Sequence, residues 1–268
     1  MSILLSSYYP EGIVFVADKN ATLIQKPLGR KHVEPTATKV MAWPYQKAIV
    51  GFVGLGRLAG NLTMDEWMRI FIAETRELDD IDKIAHRLRD RIQEDFDKDY
   101  PESTDIRNNH LVIHLGGFAA RDDIQTPVMY HIWNHGDIDP RMGYPPAERS
   151  FRISEDIERD FKDQSKPSDY PAGVRSWLQD KINRDGEYQW YNNGANLAAF
   201  NIFKSVIWHS LKALQQAGFA PNSSGLSQRI AFCKMAVEVF GSFFSHYYPP
   251  EERAVGGGID AVYIRWPE

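Results

Sequence analysis

Two apolar segments joined by a short turn open the chain and limit what it can fold into. Residues 3–9 are rich in strand-forming side chains, residues 10–12 read Pro-Glu-Gly as in a turn, and residues 13–17 form an unbroken apolar run. An apolar strand of this kind has both of its faces buried. The sequence therefore predicts a β-sheet that is covered on both sides by other layers.

Further along the chain, groups of strands alternate with pairs of helices. Residues 63–66, Thr-Met-Asp-Glu, have the form of a capping box and predict a helix start. Apolar side chains recur at helical spacing in residues 81–96, 200–214 and 230–244. Strand patterns occupy residues 39–43, 47–53, 111–118, 127–133 and 258–264. Helix pairs between strand groups predict an α+β fold in which helices cover the sheets.

Two regions have less regular patterns. Residues 23–37 contain two prolines, a glycine and mixed charges, and they are predicted to form a loop. Residues from about 140 to 190 are polar and contain prolines, so we predict an insertion there, with helix-like pieces near 154–163 and 173–183. The length of 268 residues fits one domain that spans residues 1–268.

Composition excludes several classes of protein. Hydrophobic residues make up 43% of the chain, which is enough for a large core, and a net charge of -5 without a basic stripe argues against a nucleic-acid partner. The one cysteine, Cys233, lies in an apolar helical stripe, where we expect it to be a buried packing residue. No run approaches the roughly 20 apolar residues that cross a bilayer, and no basic segment precedes the first apolar residues. The sequence predicts a cytoplasmic protein with no membrane partner.

A candidate nucleophile follows the initiator methionine. Removal of Met1 would leave Ser2 with a free α-amino group, whose pKa in a model peptide is about 7.7–8.0. A serine hydroxyl is a poor nucleophile until a base takes its proton, and the α-amine of the same residue is able to act as that base. Ser2 is therefore a candidate to supply both the nucleophile, through its hydroxyl, and the base, through its α-amine.

Two segments near this serine resemble those of a known family. Asp18 follows Ser2 by sixteen positions at the end of the second apolar segment, and Thr38-Lys39-Val40 is followed by a strand that ends in Gly54. These segments resemble the N-terminal part of proteasome β-subunits and of the related bacterial ATP-dependent protease peptidase. Residues 256–264 resemble the family's late turn and strand. The resemblance implies an N-terminal-nucleophile hydrolase with a four-layer αββα sandwich.

The same resemblance implies a role for each matching residue. Ser2 is the catalytic nucleophile, Lys39 is the lysine beside it, and Asp18 holds and orients that lysine. The backbone N–H of Gly54 donates a hydrogen bond to the oxyanion. A nearby ammonium would favour the neutral α-amine and would stabilise an ionising hydroxyl.

The implied substrate is an extended peptide or another linear amide, which the protein would cleave through an acyl-enzyme. Asn20 and Thr22 are the residues expected to bind it. The resemblance implies neither a cofactor nor a metal. It implies a homo-oligomer, in the form of a ring or a helical stack.

Some positions depart from the family pattern. The family's nucleophile is usually threonine, whereas Ser2 lacks that methyl group. The family's late aspartate and serine, which support the α-amine, align near Arg253 and Gly256, and its mid-chain serine aligns near Asn193. None of these three keeps the chemistry of the family's residue, and Glu252 is a candidate substitute.

Two alternative functions follow from the same sequence. The first is a catalytically inactive scaffold with the proteasome fold, in which Met1 would be retained. The second is an NAD(P)-dependent enzyme, because residues 54–59 fit the dinucleotide pattern G-x-G-x-x-G/A. That motif needs a helix that opens directly from its glycines and a second parallel strand soon after it. The capping box at residues 63–66 and the helical pattern at 81–96 disfavour this context.

Four histidines in two pairs raise the possibility of a metal site. The pairs are His110/His114 and His131/His135, and residues four apart on a strand share a face. No cysteine or clear set of acidic ligands accompanies them, so we interpret them as a polar strand face and predict no metal.

Overall fold

The computed structural model describes residues 2–25, 30–34, 37–44, 48–136, 145–164, 170–181, 189–194, 197–218, 225–247 and 257–267. These residues form a mixed α+β fold, as the alternation of strands and helices predicts. The helices are α1 (Met64–Glu74), α2 (Ile81–Asp99), α3 (Asp156–Gln164), α4 (Val174–Asp180), α5 (Leu197–Gln216) and α6 (Leu226–Tyr247).

Most of the strands belong to two antiparallel sheets. In chain order the strands are β1 (Ile3–Tyr9), β2 (Gly12–Asp18), β3 (Ala21–Gln25), β4 (Arg30–Glu34), β5 (Val40–Ala42), β6 (Ala48–Gly54), β7 (Arg57–Leu58), β8 (Leu62–Thr63), β9 (Leu111–Arg121), β10 (Ile124–His135), β11 (Ala147–Glu155), β12 (Gln189–Gly194) and β13 (Ile259–Arg265). One sheet has the order β12-β1-β2-β13 and the other the order β11-β10-β9-β6-β5. The pairs β3-β4 and β7-β8 form separate hairpins.

Strand β2 is buried on both faces, which confirms the prediction from its apolar run. Val14 and Val16 pack on one face in a core cluster with Val237 of α6. Phe15 packs on the opposite face in a cluster with Ile49 of β6. Side chains alternate between the faces of a strand, so one short segment contributes to two clusters.

A third core cluster covers the other side of the five-stranded sheet. It joins Trp67 of α1 and Leu88 of α2 to Ile113 of β9. Helix α1 begins with the predicted capping box: Thr63 Oγ1 accepts a hydrogen bond from Glu66 N at 3.4 Å, and Glu66 Oε2 accepts one from Thr63 N at 2.9 Å. The predicted helix over residues 81–96 and the predicted strand pair at 111–118 and 127–133 are confirmed by α2, β9 and β10.

The two sheets pack in close contact at Gly116 of the five-stranded sheet. A Cβ atom added to Gly116 of β9 would lie 2.6 Å from the Tyr8 hydroxyl oxygen and 2.8 Å from Phe15 Cζ. Both aromatic side chains belong to the opposite sheet and are fully buried. The Tyr8 hydroxyl also donates to the Val128 carbonyl at 3.2 Å, which further limits its movement.

A buried hydrogen bond also joins the two sheets. Ser6 Oγ of β1 and His114 Nδ1 of β9 are 2.7 Å apart, and both residues are inaccessible to solvent. The ring of His131 on β10 packs edge-on against His114, with 5.4 Å between the ring centroids. Burial lowers the pKa of His114 well below its usual value and lowers that of His131 to about 3.

The loop predicted over residues 23–37 is wrong for most of its length. Strands β3 and β4 form an antiparallel hairpin there, with Thr22 opposite Val33. Residues 21–25 and 30–34 contain no proline, so each strand can contribute its backbone N–H groups to the pairing. The overall composition of residues 23–37 therefore did not predict the two strands.

The region from about 140 to 190 contains more regular structure than expected. The predicted helical pieces are confirmed by α3 and α4, and two strands are added: β11 at the edge of the five-stranded sheet and β12 at the edge of the four-stranded one. That this region is an insertion into a single domain stays a prediction. Cys233 is fully buried, as its apolar stripe predicts. Among the described helices, none combines the length and the apolar composition that a membrane span requires.

We expect Gly116→Ala to lower the free energy of unfolding by about 1–3 kcal/mol, because the added methyl group must displace two buried aromatic rings. Urea denaturation measures the effect. Ser150→Ala, at an exposed position of β11, is the control and should change stability by less than about 0.5 kcal/mol. A Gly116→Ala protein as stable as the wild type would show that the contact between the sheets is looser than the structure indicates.

We expect the two buried histidines to make the fold acid-sensitive below about pH 6.5. Their pKa values are lowered in the folded state, so below the unfolded pKa the unfolded chain binds protons that the folded chain does not, and stability falls by about 1.4 kcal/mol per pH unit for each histidine. His114→Asn should reduce the loss of stability between pH 6.5 and pH 5.

The variant and the wild type must be compared across the same pH range, because burial raises the pKa of Glu155 to about 7 and that carboxyl acts in the opposite direction. His209→Gln, on an exposed part of α5, is the matched control. Equal pH slopes for His114→Asn and the wild type would contradict the prediction.

Candidate active site

Three of the predicted site residues lie at or beside the ends of neighbouring strands in the two sheets. Ser2 directly precedes β1, Asp18 is the last residue of β2, and Lys39 directly precedes β5 of the other sheet. The antiparallel register pairs Leu4 with Ala17, so the start of β1 lies beside the end of β2. Strand β13 of the four-stranded sheet packs against β5, which brings the entry of β5 to this edge.

The Lys39 ammonium lies at the centre of the site. Lys39 Nζ donates hydrogen bonds to Ser2 Oγ at 2.7 Å and to Asp18 Oδ1 at 3.1 Å. It also donates to the backbone carbonyl of Asn20. The three N–H groups of the ammonium thus have three oxygen acceptors, and the predicted meeting of Ser2, Asp18 and Lys39 is present in the structure.

The carboxylate of Asp18 ties the strand ends together. Asp18 Oδ1 also accepts a hydrogen bond from the Ile3 backbone at 2.7 Å, and Asp18 Oδ2 accepts one from the Asn20 backbone at 3.2 Å. The Ser2 hydroxyl donates to the Asn20 carbonyl at 3.3 Å. Side chain and backbone groups therefore orient both the nucleophile candidate and its lysine.

The site is almost closed to solvent. Relative exposure is 9% for Ser2, 1% for Asp18 and 4% for Lys39. Burial lowers the pKa of Lys39 below its usual value, while the charge of Asp18 and the hydrogen bond to it act in the opposite direction. A positive charge held this close to Ser2 Oγ can stabilise an oxygen that becomes negative during a reaction.

Gly54 is the last residue of β6, which pairs with β5, the strand that begins directly after Lys39. Phe52 N–H donates to the Lys39 carbonyl at 3.0 Å, so it points toward the entry of β5. Because N–H directions alternate along a strand, the N–H of Gly54 points to the same side. Gly54 has φ +111, and a Cβ atom there would lie 2.1 Å from the His110 carbonyl oxygen. Glycine is therefore the residue that this backbone conformation accepts.

The two predicted substrate-binding residues lie next to the nucleophile in the chain. Asn20 contacts Lys39 and Ser2 through its backbone, a contact that the sequence did not predict. Thr22 lies in β3, where its backbone pairs with Val33. Their roles in substrate binding stay predictions.

Of the four residues considered at the positions of the family's supporting groups, Asn193 lies in a described strand. Asn193 lies in β12 opposite Leu4, in the strand beside β1. Glu252, Arg253 and Gly256 lie outside the described residues.

The four histidines include two pairs of rings in contact. The ring centroids of His114 and His131 are 5.4 Å apart, and those of His110 and His135 are 6.4 Å apart. Within the described part of the chain, no three side chains of His, Cys, Asp or Glu converge in a way that could hold a metal ion.

The glycine pattern at residues 54–59 leads into a hairpin. Strand β7 lies within the pattern and pairs with β8, and α1 begins only at Met64. The next element after α1 is the helix α2. The pattern therefore lacks both the helix N-terminus that binds phosphate in dinucleotide sites and the parallel strand that should follow.

No protein-family model matches the chain, and the comparison with curated proteins finds no match. The function must therefore be argued from the residues and their geometry.

One ion pair beside the site was not anticipated. Lys19 Nζ lies 3.0 Å from Asp260 Oδ1, and both side chains are about one third exposed or less. Sequence reasoning missed it because the two residues are far apart in the chain. The register of β2 and β13, which pairs Ala17 with Asp260, is what brings them together.

We expect Asp18→Ala to lower the free energy of unfolding by about 3–5 kcal/mol, because the buried Lys39 ammonium would lose its counter-ion. Lys39→Met introduced into the Asp18→Ala protein should recover part of that loss, since it removes the unpaired charge. Urea unfolding of the wild type, both single variants and the double variant measures the coupling. Additive effects would contradict the ion pair as the structure has it.

Proposed function

We propose that the protein is a proteasome-like N-terminal-nucleophile hydrolase that cleaves peptide or other linear amide bonds through an acyl-enzyme on Ser2. The observation that carries the proposal is the 2.7 Å contact between Lys39 Nζ and Ser2 Oγ, with Asp18 as the second acceptor of the same ammonium. Burial of a lysine ammonium carries a desolvation cost that lowers stability. The same ammonium, bound to a serine hydroxyl, can help to activate that hydroxyl as a nucleophile.

The proposed reaction begins with the loss of Met1, which frees the α-amine of Ser2. That amine takes the proton of the Ser2 hydroxyl while Oγ attacks the carbonyl carbon of the substrate. The α-ammonium then gives the proton to the leaving nitrogen as the C–N bond breaks. Water, deprotonated by the same amine, then attacks the carbonyl carbon of the resulting ester. The α-ammonium returns that proton to Oγ as the Oγ–C bond breaks, which releases the acid and restores the Ser2 hydroxyl.

Two groups of the chain would stabilise negative charge in these steps. The Lys39 ammonium favours ionisation of the Ser2 hydroxyl, because it already donates to that oxygen. The backbone N–H of Gly54 is the proposed donor to the oxyanion of the tetrahedral intermediate. Its direction toward the entry of β5 and its glycine-specific conformation support that role.

The arrangement of the core supports the corresponding four-layer αββα sandwich. Helices α1 and α2 pack with the five-stranded sheet, and α6 packs with the four-stranded sheet. A third cluster joins the two sheets to each other. The order helix, sheet, sheet, helix is the one that the proposed family would have.

The remaining parts of the proposal concern context. We infer a cytoplasmic homo-oligomer, in the form of a ring or stack, that acts on an extended amide substrate bound along Asn20 and Thr22. An inactive scaffold with the same fold is the alternative that the experiment must separate from the enzyme. It predicts that Ser2 does not react.

We expect a peptide-like electrophile, such as a vinyl sulfone or epoxyketone, to add one mass equivalent to protein made without an N-terminal tag. Ser2→Ala should abolish the adduct, and Lys39→Met should slow its formation at least 100-fold, because the hydroxyl loses its neighbouring charge. Intact mass before and after treatment measures both Met1 removal and adduct formation.

Two controls make the result specific. Ser2→Thr keeps a hydroxyl and should retain labelling, whereas Ser242→Ala, at an exposed position of α6, should label like the wild type. A retained Met1 with no adduct would favour the scaffold. An adduct that persists in Ser2→Ala would contradict Ser2 as the nucleophile.

A further inference from the structure

A second lysine, Lys19, lies beside the proposed nucleophile, and its ammonium forms an ion pair outside the site. Lys19 stands between Asp18 and Asn20 in the chain, and both of these neighbours contact Lys39. Extension of the β1–β2 register places Lys19 opposite Ser2, on the adjacent strand about 5 Å away. Its ammonium, however, pairs with Asp260 at 3.0 Å.

The backbone of Lys19 links the elements that build the site. Its N–H donates to the Gly258 carbonyl at 3.1 Å, which continues the pairing of β2 with β13. Its carbonyl accepts a hydrogen bond from Ala37 N at 3.1 Å, in the segment that leads to Lys39. Lys19 is therefore held by backbone hydrogen bonds to the segment before β13 and to the segment before Lys39.

Register also explains why Lys19 meets Asp260. Ala17 pairs with Asp260, and Lys19 is two residues beyond Ala17, so the two charged side chains are diagonal neighbours on one face of the sheet. Ala17 on this face packs in the cluster that includes Val40, the residue after Lys39. The ion pair thus faces the strand entry that carries the catalytic lysine.

We propose that Asp260 is a positioning residue that holds and neutralises the Lys19 ammonium, so that Lys39 and the nucleophile are not exposed to a second uncompensated cation. Its kinetic consequence rests on the proposed hydrolase function. The charged groups that meet here, within the described part of the chain, are Asp18 and Lys19 at the end of β2, Lys39 at the entry of β5 and Asp260 of β13.

The sign of each perturbation follows from Coulomb's law. Asp260→Asn leaves the Lys19 charge without a counter-ion, which disfavours a second ammonium and should lower the titration midpoint of Lys39. Lys19→Met leaves the negative charge of Asp260 without a counter-ion, which should raise the titration midpoint of Lys39. A unit charge about 10 Å away in a half-exposed setting shifts a midpoint by roughly 0.5 pH unit. Lys19→Met/Asp260→Asn removes both charges and should leave the midpoint near that of the wild type.

The test measures the Lys39 midpoint directly, by NMR of protein labelled with ¹³C at lysine Cε, with the signal assigned by its loss in Lys39→Arg. The pair is partly exposed, so the variants should fold and should unfold at urea midpoints close to that of the wild type. Lys83→Met on α2, which removes one exposed lysine far from the site, is the matched control. The acid limb of the pH–rate profile for Ser2 acylation should move in the same directions as the Lys39 midpoint.

Opposite shifts in the two single variants, cancelling in the double variant, would support the proposal. Shifts of the same sign, or no shift in either single variant, would overturn it. The NMR result does not require catalysis. If wild-type Ser2 is not acylated, the hydrolase proposal fails, while the Lys39 midpoint still decides the role of Asp260.

Discussion

The structure around Ser2 depends on the burial of one ammonium group. Lys39 is 4% exposed, so its charge has lost most of its hydration and must be stabilised by protein groups. Asp18 supplies the opposite charge, and the Ser2 hydroxyl and the Asn20 carbonyl supply the other two acceptors. Because Lys39 comes from one sheet and its acceptors come from the other, the site exists only when the two sheets pack in the correct register.

The interface between the sheets therefore supports both the fold and the site. Gly116 leaves space for Tyr8 and Phe15, and Ser6 and His114 form a buried hydrogen bond between β1 and β9. Ser2 and Ser6 belong to the same short segment, so a change that separates the sheets at Ser6 will also move Ser2 relative to Lys39. Stability and geometry at the nucleophile are expected to change together when this interface is altered.

The sequence predicted the parts of the site that are fixed by strand ends and missed the parts that depend on register. Asp18 and Lys39 could be predicted because the segments around them resemble those of proteasome β-subunits, and each also adjoins a clear strand pattern. The Asn20 contact could not, because a backbone carbonyl carries no side-chain signal, and the Lys19–Asp260 pair required the alignment of β2 with β13. Strands β3 and β4 were missed because the prolines, glycine and mixed charges of residues 23–37 indicate a loop, and β12 was missed because it is short and ends in Asn-Asn-Gly. Strand β11 could have been found, since Phe151 and Ile153 alternate with polar residues.

The hydrogen bonds of Lys39 also bear on which group acts as the base. An ammonium has three N–H groups, and Lys39 Nζ has three oxygen acceptors, whereas a neutral amine has only two N–H groups and would leave one acceptor unsatisfied. The Ser2 hydroxyl donates to Asn20, so its hydrogen points away from Lys39. Burial favours the neutral amine, but the adjacent Asp18 charge and this complete set of acceptors favour the ammonium. A lysine held in the charged form cannot accept the hydroxyl proton, so within the proposed mechanism Lys39 acts through its charge and the α-amine of Ser2 takes the proton.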